Sequence, residues 1–297
     1  MLLLTAINAK YIHSNPAIYQ LKAYLSDFSD KVQLAEYTIN QNPDEVFRDI
    51  YARNPDITAF SCYIWNIEYI IKLASDLKQV LPKSLILLGG PEVSHDSERI
   101  LDNHSYIDYI IKGEGEKALH SFAKWYFDKE GSLSDIKGLV FRDGKISNNN
   151  IPEPLSMDDC IFPYTDLSEF SNRILYYESS RGCPFSCSYC LSSIEKKVRF
   201  RNLEKVKNEI SFFLEKEAAQ VKFIDRTFNC HSERAYEIWK YIGEHDNGKT
   251  NFHFEIAGDL LREEDVLLFK DFRPGLIQME IGIQSTNPYT LKAVNRT

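Results

Sequence analysis

The chain has 297 residues, enough for two domains with sizeable cores, and its 43% hydrophobic and 13% aromatic content excludes a disordered polymer. Its formal net charge is −8, with basic runs no longer than short groups such as Lys196-Lys197, which argues against a broad nucleic-acid-binding surface. No apolar stretch approaches the ~20 residues of a membrane span, and the start lacks the basic leader of a signal peptide.

From the start to about residue 130, short apolar runs alternate with helical patterns. Leu2–Ile7, Val32–Ile39, Ile57–Tyr63, Leu85–Leu88 and Tyr106–Ile111 read as buried strands, β-branched or aromatic-rich and bounded by turn residues. Between them lie amphipathic segments; in Asn66–Val80, residues Ile67, Ile70, Ile71, Ala74 and Leu77 recur at helical spacing. Five strands separated by helices predict an α/β fold with a doubly wound, Rossmann-like parallel sheet. Ligands of such sheets bind beyond the carboxyl ends of the strands. Those ends read Asn8-Ala-Lys-Tyr-Ile-His13, Ser61-Cys-Tyr63, Gly89-Gly-Pro-Glu92 and Gly113-Glu-Gly-Glu116. Paired glycines let a backbone approach a ligand closely, and a short hydroxyl can hydrogen-bond it. Simple turn-making is the competing explanation. No G-x-G-x-x-G follows the first strand, which disfavours a dinucleotide.

These strand ends resemble those of cobalamin-binding domains. The resemblance implies that Asn8, Lys10, Ser61, Gly89, Gly90, Gly113, Glu114 and Gly115 surround a cobalamin. It departs from the D-x-H-x-x-G box in which a His ligates cobalt. Here Asn8-x-Lys10-x-x-His13 fills that stretch, and Lys10 stands at the position of the ligating His. The expectation is that no protein imidazole coordinates cobalt from below.

Gly138–Ser147 reads as a hairpin turning at Asp143-Gly144. A proline-containing stretch with little periodicity follows, so residues 1–147 are expected to form one domain, 148–173 a linker and 174–297 a second domain. Cys160 in the linker reads as incidental. Ile174–Glu178, Val221–Ile224, Phe252–Ile256 and Ile277–Ile283 read as strands. Helical stretches at Asn202–Lys216, Ser232–Glu244 and Arg262–Phe272 separate them. Repeated βα units predict a partial barrel of about four strands, with its working residues at the strand carboxyl ends.

The first of those strands leads directly into Arg181-Gly-Cys-Pro-Phe-Ser-Cys-Ser-Tyr-Cys190, where Cys183, Cys187 and Cys190 stand at C-x3-C-x2-C spacing. A cubane [4Fe–4S] cluster usually takes four thiolates. Three from one loop leave one iron without a protein ligand, open to a substrate. A structural zinc site, a disulfide pair and coincidence are the alternatives. Zinc wants four ligands in a closed set, and Cys230 and His231 are the nearest later candidates. Six cysteines, three of them in one loop, suit a reducing cytoplasm better than a disulfide framework. Asp225-Arg226 follows the next strand, Glu255 lies within the third and Gln284-Ser285 ends the fourth. A carboxylate and a guanidinium can pair with the two charges of an amino acid zwitterion, and Gln or Glu can hydrogen-bond ribose hydroxyls.

The cysteine loop resembles the C-x3-C-x-aromatic-C signature of the radical S-adenosylmethionine (SAM) superfamily, with Tyr189 in the aromatic slot. Cobalamin-binding domains often precede its barrel. The resemblance implies a [4Fe–4S] cluster on the three cysteines and S-adenosylmethionine bound by Tyr189, Asp225, Arg226, Glu255, Gln284 and Ser285. Cleavage of a carbon–sulfur bond would then yield a 5′-deoxyadenosyl radical. Family barrels usually have more strands, so residues 1–297 are expected to be the front of a longer protein. The expected activity is cobalamin-dependent methyl transfer to an unactivated carbon of an unidentified substrate, with a flavodoxin- or ferredoxin-like reductant as partner. Ring formation or rearrangement, and a non-catalytic cobalamin and iron–sulfur module, are the alternatives. A methylthiotransferase is rejected, because it needs a second cysteine triad and only Cys62 precedes the linker.

Overall fold

The run Leu2–Asn8 (β1) is buried at all seven positions, as a strand must be when helices cover both faces of its sheet. The computed structural model, which describes residues 1–296, builds the sheet expected around it. Val32–Thr38 (β2), Ile57–Ser61 (β3), Leu85–Gly89 (β4) and Tyr109–Ile111 (β5) join β1 in the order β2-β1-β3-β4-β5, all parallel. The helices are Pro16–Tyr24 (α1), Pro43–Arg53 (α2), Ile67–Val80 (α3), Pro91–Ser94 (α4), Ser97–Asn103 (α5) and Glu116–Ala123 (α6). The starts of α1 and α2 are written locally. Asn15 and Asn42 accept backbone N–H bonds from Ile18 and Asp44, and Pro16 and Pro43 take the first helical position. Alternate residues of β1 feed two cores. Leu3 and Ile7 pack with Val46, Ile50, Ile70 and Leu77, whereas Leu2 and Leu4 pack with Ile18, Leu119 and Phe122.

The hairpin is present as Leu139–Asp143 (β6) and Lys145–Asn148 (β7), with Gly144 at φ +69° in its turn. Its place was not legible locally: β6 pairs antiparallel with β5 and extends the sheet to seven strands. The fifth strand is shorter than its apolar run, because Ile107 closes a turn onto His104 and gives its carbonyl to Arg142 Nη1 at 2.6 Å.

The chain divides into two units, Met1–Leu155 with Cys160–Tyr164, and Ser156–Asp159 with the residues from Thr165 onward. In the second unit, Leu175–Tyr177 (β8), Ser180–Arg181 (β9), Arg199–Phe200 (β10), Gln220–Phe223 (β11), Asn251–Ile256 (β12) and Ile277–Ile281 (β13) are strands. Leu203–Glu215 (α7), Ser232–Glu244 (α8), Glu263–Lys270 (α9) and Pro288–Ala293 (α10) are its helices. A parallel sheet runs β8-β11-β12-β13, each βα unit adding the next strand on the same side, as in part of a barrel. Its helix-facing side is aromatic. Phe223 and Phe228 stand 4.5 and 4.4 Å from Phe254, and Phe228 lies 5.5 Å from Trp239, centroid to centroid. The other side is polar. Lys222 Nζ sits 3.0 Å from both Glu255 Oε1 and Glu280 Oε2, and His253 Nε2 lies 3.3 Å from Glu280 Oε2. Burial opposes the Lys222 charge, yet the two carboxylates outweigh it and raise the lysine pKa. Among the described residues, no helix is long and apolar enough to cross a membrane.

Candidate functional site

The cysteine loop is closed at its base by a ribbon that no periodicity announces. β9 and β10 are two residues each, pairing Arg181 with Arg199 and Ser180 with Phe200. Gly182 then turns at φ +97°, and Cys183 N–H donates to the Glu195 carbonyl at 2.9 Å. A Cβ at Gly182 would stand 2.5 Å from the Lys197 carbonyl oxygen, so only glycine fits the turn. Farther along, Cys190 N–H donates to the Cys187 carbonyl at 3.1 Å, and Ser188 N–H to the Val294 carbonyl at 2.9 Å.

Behind the ribbon lies Asp225, 1% exposed. Its Oδ2 accepts Ser179 N–H at 3.0 Å, and its Oδ1 accepts the Ser179 and Ser180 hydroxyls at 2.7 and 2.5 Å. Burial raises its pKa, and these three bonds oppose the rise. Asp225 therefore anchors the strand that delivers the loop, and it does not line the neighbouring cavity.

That cavity, of about 210 Å³, brings Cys187 together with three other predicted residues, Arg226, Glu255 and Gln284. It also carries Asp259, Glu280 and Arg296, which the sequence reading missed. Carboxylates and guanidiniums thus face a common space, a donor and acceptor set suited to a zwitterion. Ser285 stands outside the lining; its hydroxyl accepts Asn287 N–H at 3.1 Å and shapes the entry to α10. Tyr189 is also outside the lining, but its phenol oxygen accepts from Arg296 Nη1 at 3.2 Å.

All three loop cysteines are free thiols, Cys183 and Cys187 nearly buried and Cys190 half-buried. Among the described residues, no three metal-ligating side chains are gathered about a single ion position. Thiolates at separate corners of a four-iron cube are spread wider than those that share one tetrahedral zinc. By number, oxidation state and placement on one loop, the three thiols fit a cluster. Cys230 is half-buried, and its thiol is pushed up to about 11 by burial first, then by Asp225 and Cys183.

In the first unit, register sets Ala6, Ser61, Gly89 and Ile111 side by side, so the predicted cobalamin residues gather at one end of one sheet. Several of them also make contacts within the chain. Asn8 Nδ2 donates to the His13 carbonyl at 3.1 Å and to Glu36 Oε1 at 3.0 Å, while Asn8 Oδ1 accepts from Asn15 at 3.4 Å. The amide is engaged within the chain and orders the loop after β1. Glu114 Oε2 accepts Leu155 N–H at 2.7 Å and fastens the following segment. Gly90, at φ +109°, leaves no room for a Cβ, which would stand 2.5 Å from the Cys62 carbonyl oxygen. Lys10 is exposed and Ser61 half-buried. The loops after the neighbouring strands β1 and β3 expose Tyr11 (64%), Ile12 (47%), Ile64 (78%) and Trp65 (45%). Apolar side chains at a strand-end crevice fit a ligand with a broad, largely apolar face, such as a corrin.

Comparison with known proteins agrees with both ends of the chain. Residues 2–123 match the B12 binding domain family model, and residues 177–297 match that of the Radical SAM superfamily. The cobalamin-dependent radical SAM methyltransferase TokK of Streptomyces tokunonensis is 26% identical over 261 residues, 82% of this chain and 38% of TokK. An anaerobic magnesium-protoporphyrin IX monomethyl ester cyclase of Rubrivivax gelatinosus is 25% identical over 288 residues, 91% of this chain and 51% of the cyclase. The chain therefore spans between 38% and 51% of the length of these two curated relatives. The cobalamin-dependent S-adenosylmethionine radical enzyme OxsB, solved with aqua-cobalamin and S-adenosylmethionine bound, shares the fold. It aligns over 99% of this chain and 45% of its own, with TM-score 0.78 at 18% identity. The two family matches bring with them a [4Fe–4S] cluster, S-adenosylmethionine and cobalamin as cofactors. The chain thus joins a B12-binding domain at residues 2–123 to a radical SAM domain at residues 177–297.

Proposed function

We propose that the chain is the cofactor-bearing part of a cobalamin-dependent radical SAM methyltransferase acting on an unactivated carbon. The observation that carries this reading is the opening of Cys187 into the cavity that Arg226, Glu255 and Gln284 also line. In it Cys183, Cys187 and Cys190 hold the cluster, Arg226 pairs with the carboxylate of S-adenosylmethionine, and Glu255 and Gln284 take its polar hydrogens. When bound and reduced, the cluster supplies the electron that splits a carbon–sulfur bond of S-adenosylmethionine. The protein contributes placement, holding reacting groups together while excluding water. Residues 1–147 carry the corrin, 148–173 connect, and 174–297 carry the radical chemistry. A cytoplasmic location and a flavodoxin- or ferredoxin-like electron donor belong to the same proposal, because an oxygen-sensitive cluster needs reducing surroundings.

Anaerobic reconstitution with iron and sulfide, followed by dithionite and S-adenosylmethionine, is expected to give 5′-deoxyadenosine. Cys187→Ala is expected to lose that product completely along with the iron. Zinc without iron at the loop, or product unchanged by the substitution, would overturn the reading. Ring formation is the second reading, favoured by the match to the cyclase over 91% of the chain. Methylated product separates the two.

A further inference from the structure

We infer that Arg296 is a positioning residue that clasps the cysteine loop to the end of β13 and sets the reduction potential of the cluster held there. The inference rests on the reading of Cys183, Cys187 and Cys190 as cluster ligands. The Arg296 guanidinium is held from two sides. Nη1 donates to the Tyr189 phenol oxygen at 3.2 Å, and Nη2 donates to the Gly282 carbonyl. Two residues earlier, the Val294 carbonyl accepts Ser188 N–H at 2.9 Å. Residues 294–296 thus grip residues 188–189 through one backbone bond and one side-chain fork. A Cβ at Gly282 would stand 2.7 Å from Gln284 Nε2, so the glycine leaves room for that side chain beside the fork.

Arg296 and Cys187 line the same cavity. A permanent cation lining the same cavity as a ligating thiolate stabilises the more negative, reduced form of a cluster. Net charge and hydrogen bonds to the sulfurs are the protein's means of setting that potential. Arginine suits the post because its planar fork can satisfy two acceptors on different segments while keeping its charge. A lysine there retains the charge and loses the fork.

The test compares the parent chain, Arg296→Met and Arg296→Lys after anaerobic reconstitution, by iron content and by redox titration of the cluster's spin signal. The expected result for Arg296→Met is a drop of about tenfold in the ratio of reduced to oxidised cluster at fixed applied potential, 59 mV for a one-electron couple. Arg296→Lys is expected to fall between it and the parent. A second measurement works without metal. Amide hydrogen exchange of cluster-free protein is expected to be several-fold faster across residues 187–190 in Arg296→Met than in the parent, with no change in the buried strand β1. A parent that binds no iron defeats the cluster reading itself. A parent that binds iron, with Arg296→Met at the same potential, overturns the inference. Should Arg296→Met fail to take up iron, unchanged exchange at residues 187–190 overturns the inference, and faster exchange supports the clasp.

Discussion

Asp225→Ala is expected to destabilise the second unit by about 3 kcal/mol, roughly 10 °C in melting temperature, and to cut iron uptake by the cysteine loop several-fold. The substitution leaves Ser179 N–H and two hydroxyls in a buried site without their common acceptor. The hydroxyls can turn, but the backbone N–H cannot, and a buried donor left unpaired costs about 1–3 kcal/mol. Those serines lead into β9, so their release frees one wall of the ribbon that closes the loop. The pH dependence separates Asp225 from an ion-paired carboxylate. Burial raises its native pKa, so the folded chain holds that proton more tightly than the unfolded chain does. Its contribution is fully present below the unfolded carboxylate range and is lost as pH rises through the raised native value. Asp225→Asn removes that slope while keeping one acceptor. Calorimetry of parent and Asn variant between about pH 4 and 8 checks this, and parallel curves would show that Asp225 carries no such linkage.

Gly90→Ala is the second large effect, and it falls on the first unit. Gly90 has φ +109° and ψ 174°, a region open almost only to glycine, where a side chain costs about 1–3 kcal/mol in strain. The added Cβ would also meet the Cys62 carbonyl oxygen at 2.5 Å and its nitrogen at 3.0 Å, backbone atoms that cannot swing aside. The turn would have to move, and with it two links. Cys62 N–H donates to the Gly89 carbonyl at 2.7 Å, and Ser94 Oγ bonds Gly90 O at 2.8 Å while accepting Gly113 N–H at 3.2 Å. Loss of hydroxocobalamin affinity by tenfold or more is expected in an absorbance titration, with iron content of the other unit unchanged. Equal affinity in variant and parent would show that this turn does not shape the corrin site.

Strands buried on both faces are written as unbroken apolar runs, and β1, β3 and β4 were legible for that reason, whereas β2 carries Gln33 and Glu36 between its apolar positions. The two-residue strands β9 and β10 are too short for any period, and the pairing of β6 with β5 depends on a contact that no local pattern encodes. At the site, polarity was legible but direction was not. In the strand leading to Asp225, Val221 and Phe223 are buried, and Asp225 shares their parity, which places it on the helix side. Lys222 has the opposite parity and faces the polar side, whereas Arg226 stands in the turn beyond the strand. Counting parity from Phe223 would have assigned Asp225 to support, but it could not place Arg226, since the alternation ends at the turn. Glu280 stands opposite Glu255 in the β12–β13 register, a pairing that the alternation of each strand alone does not give. Arg296 was not, since its contact with Tyr189 spans 107 residues.

The division of the second sheet into an aromatic side and a polar side bears on how such a scaffold diversifies. Interlocked rings such as Phe223, Phe254 and Trp239 tolerate little change of volume, so drift there is purged by unfolding. Positions 222, 253, 255 and 280 answer to charge balance instead of shape, and two of them, 255 and 280, also line the cavity. Catalytic novelty and structural permanence are thereby written on opposite surfaces of the same strands.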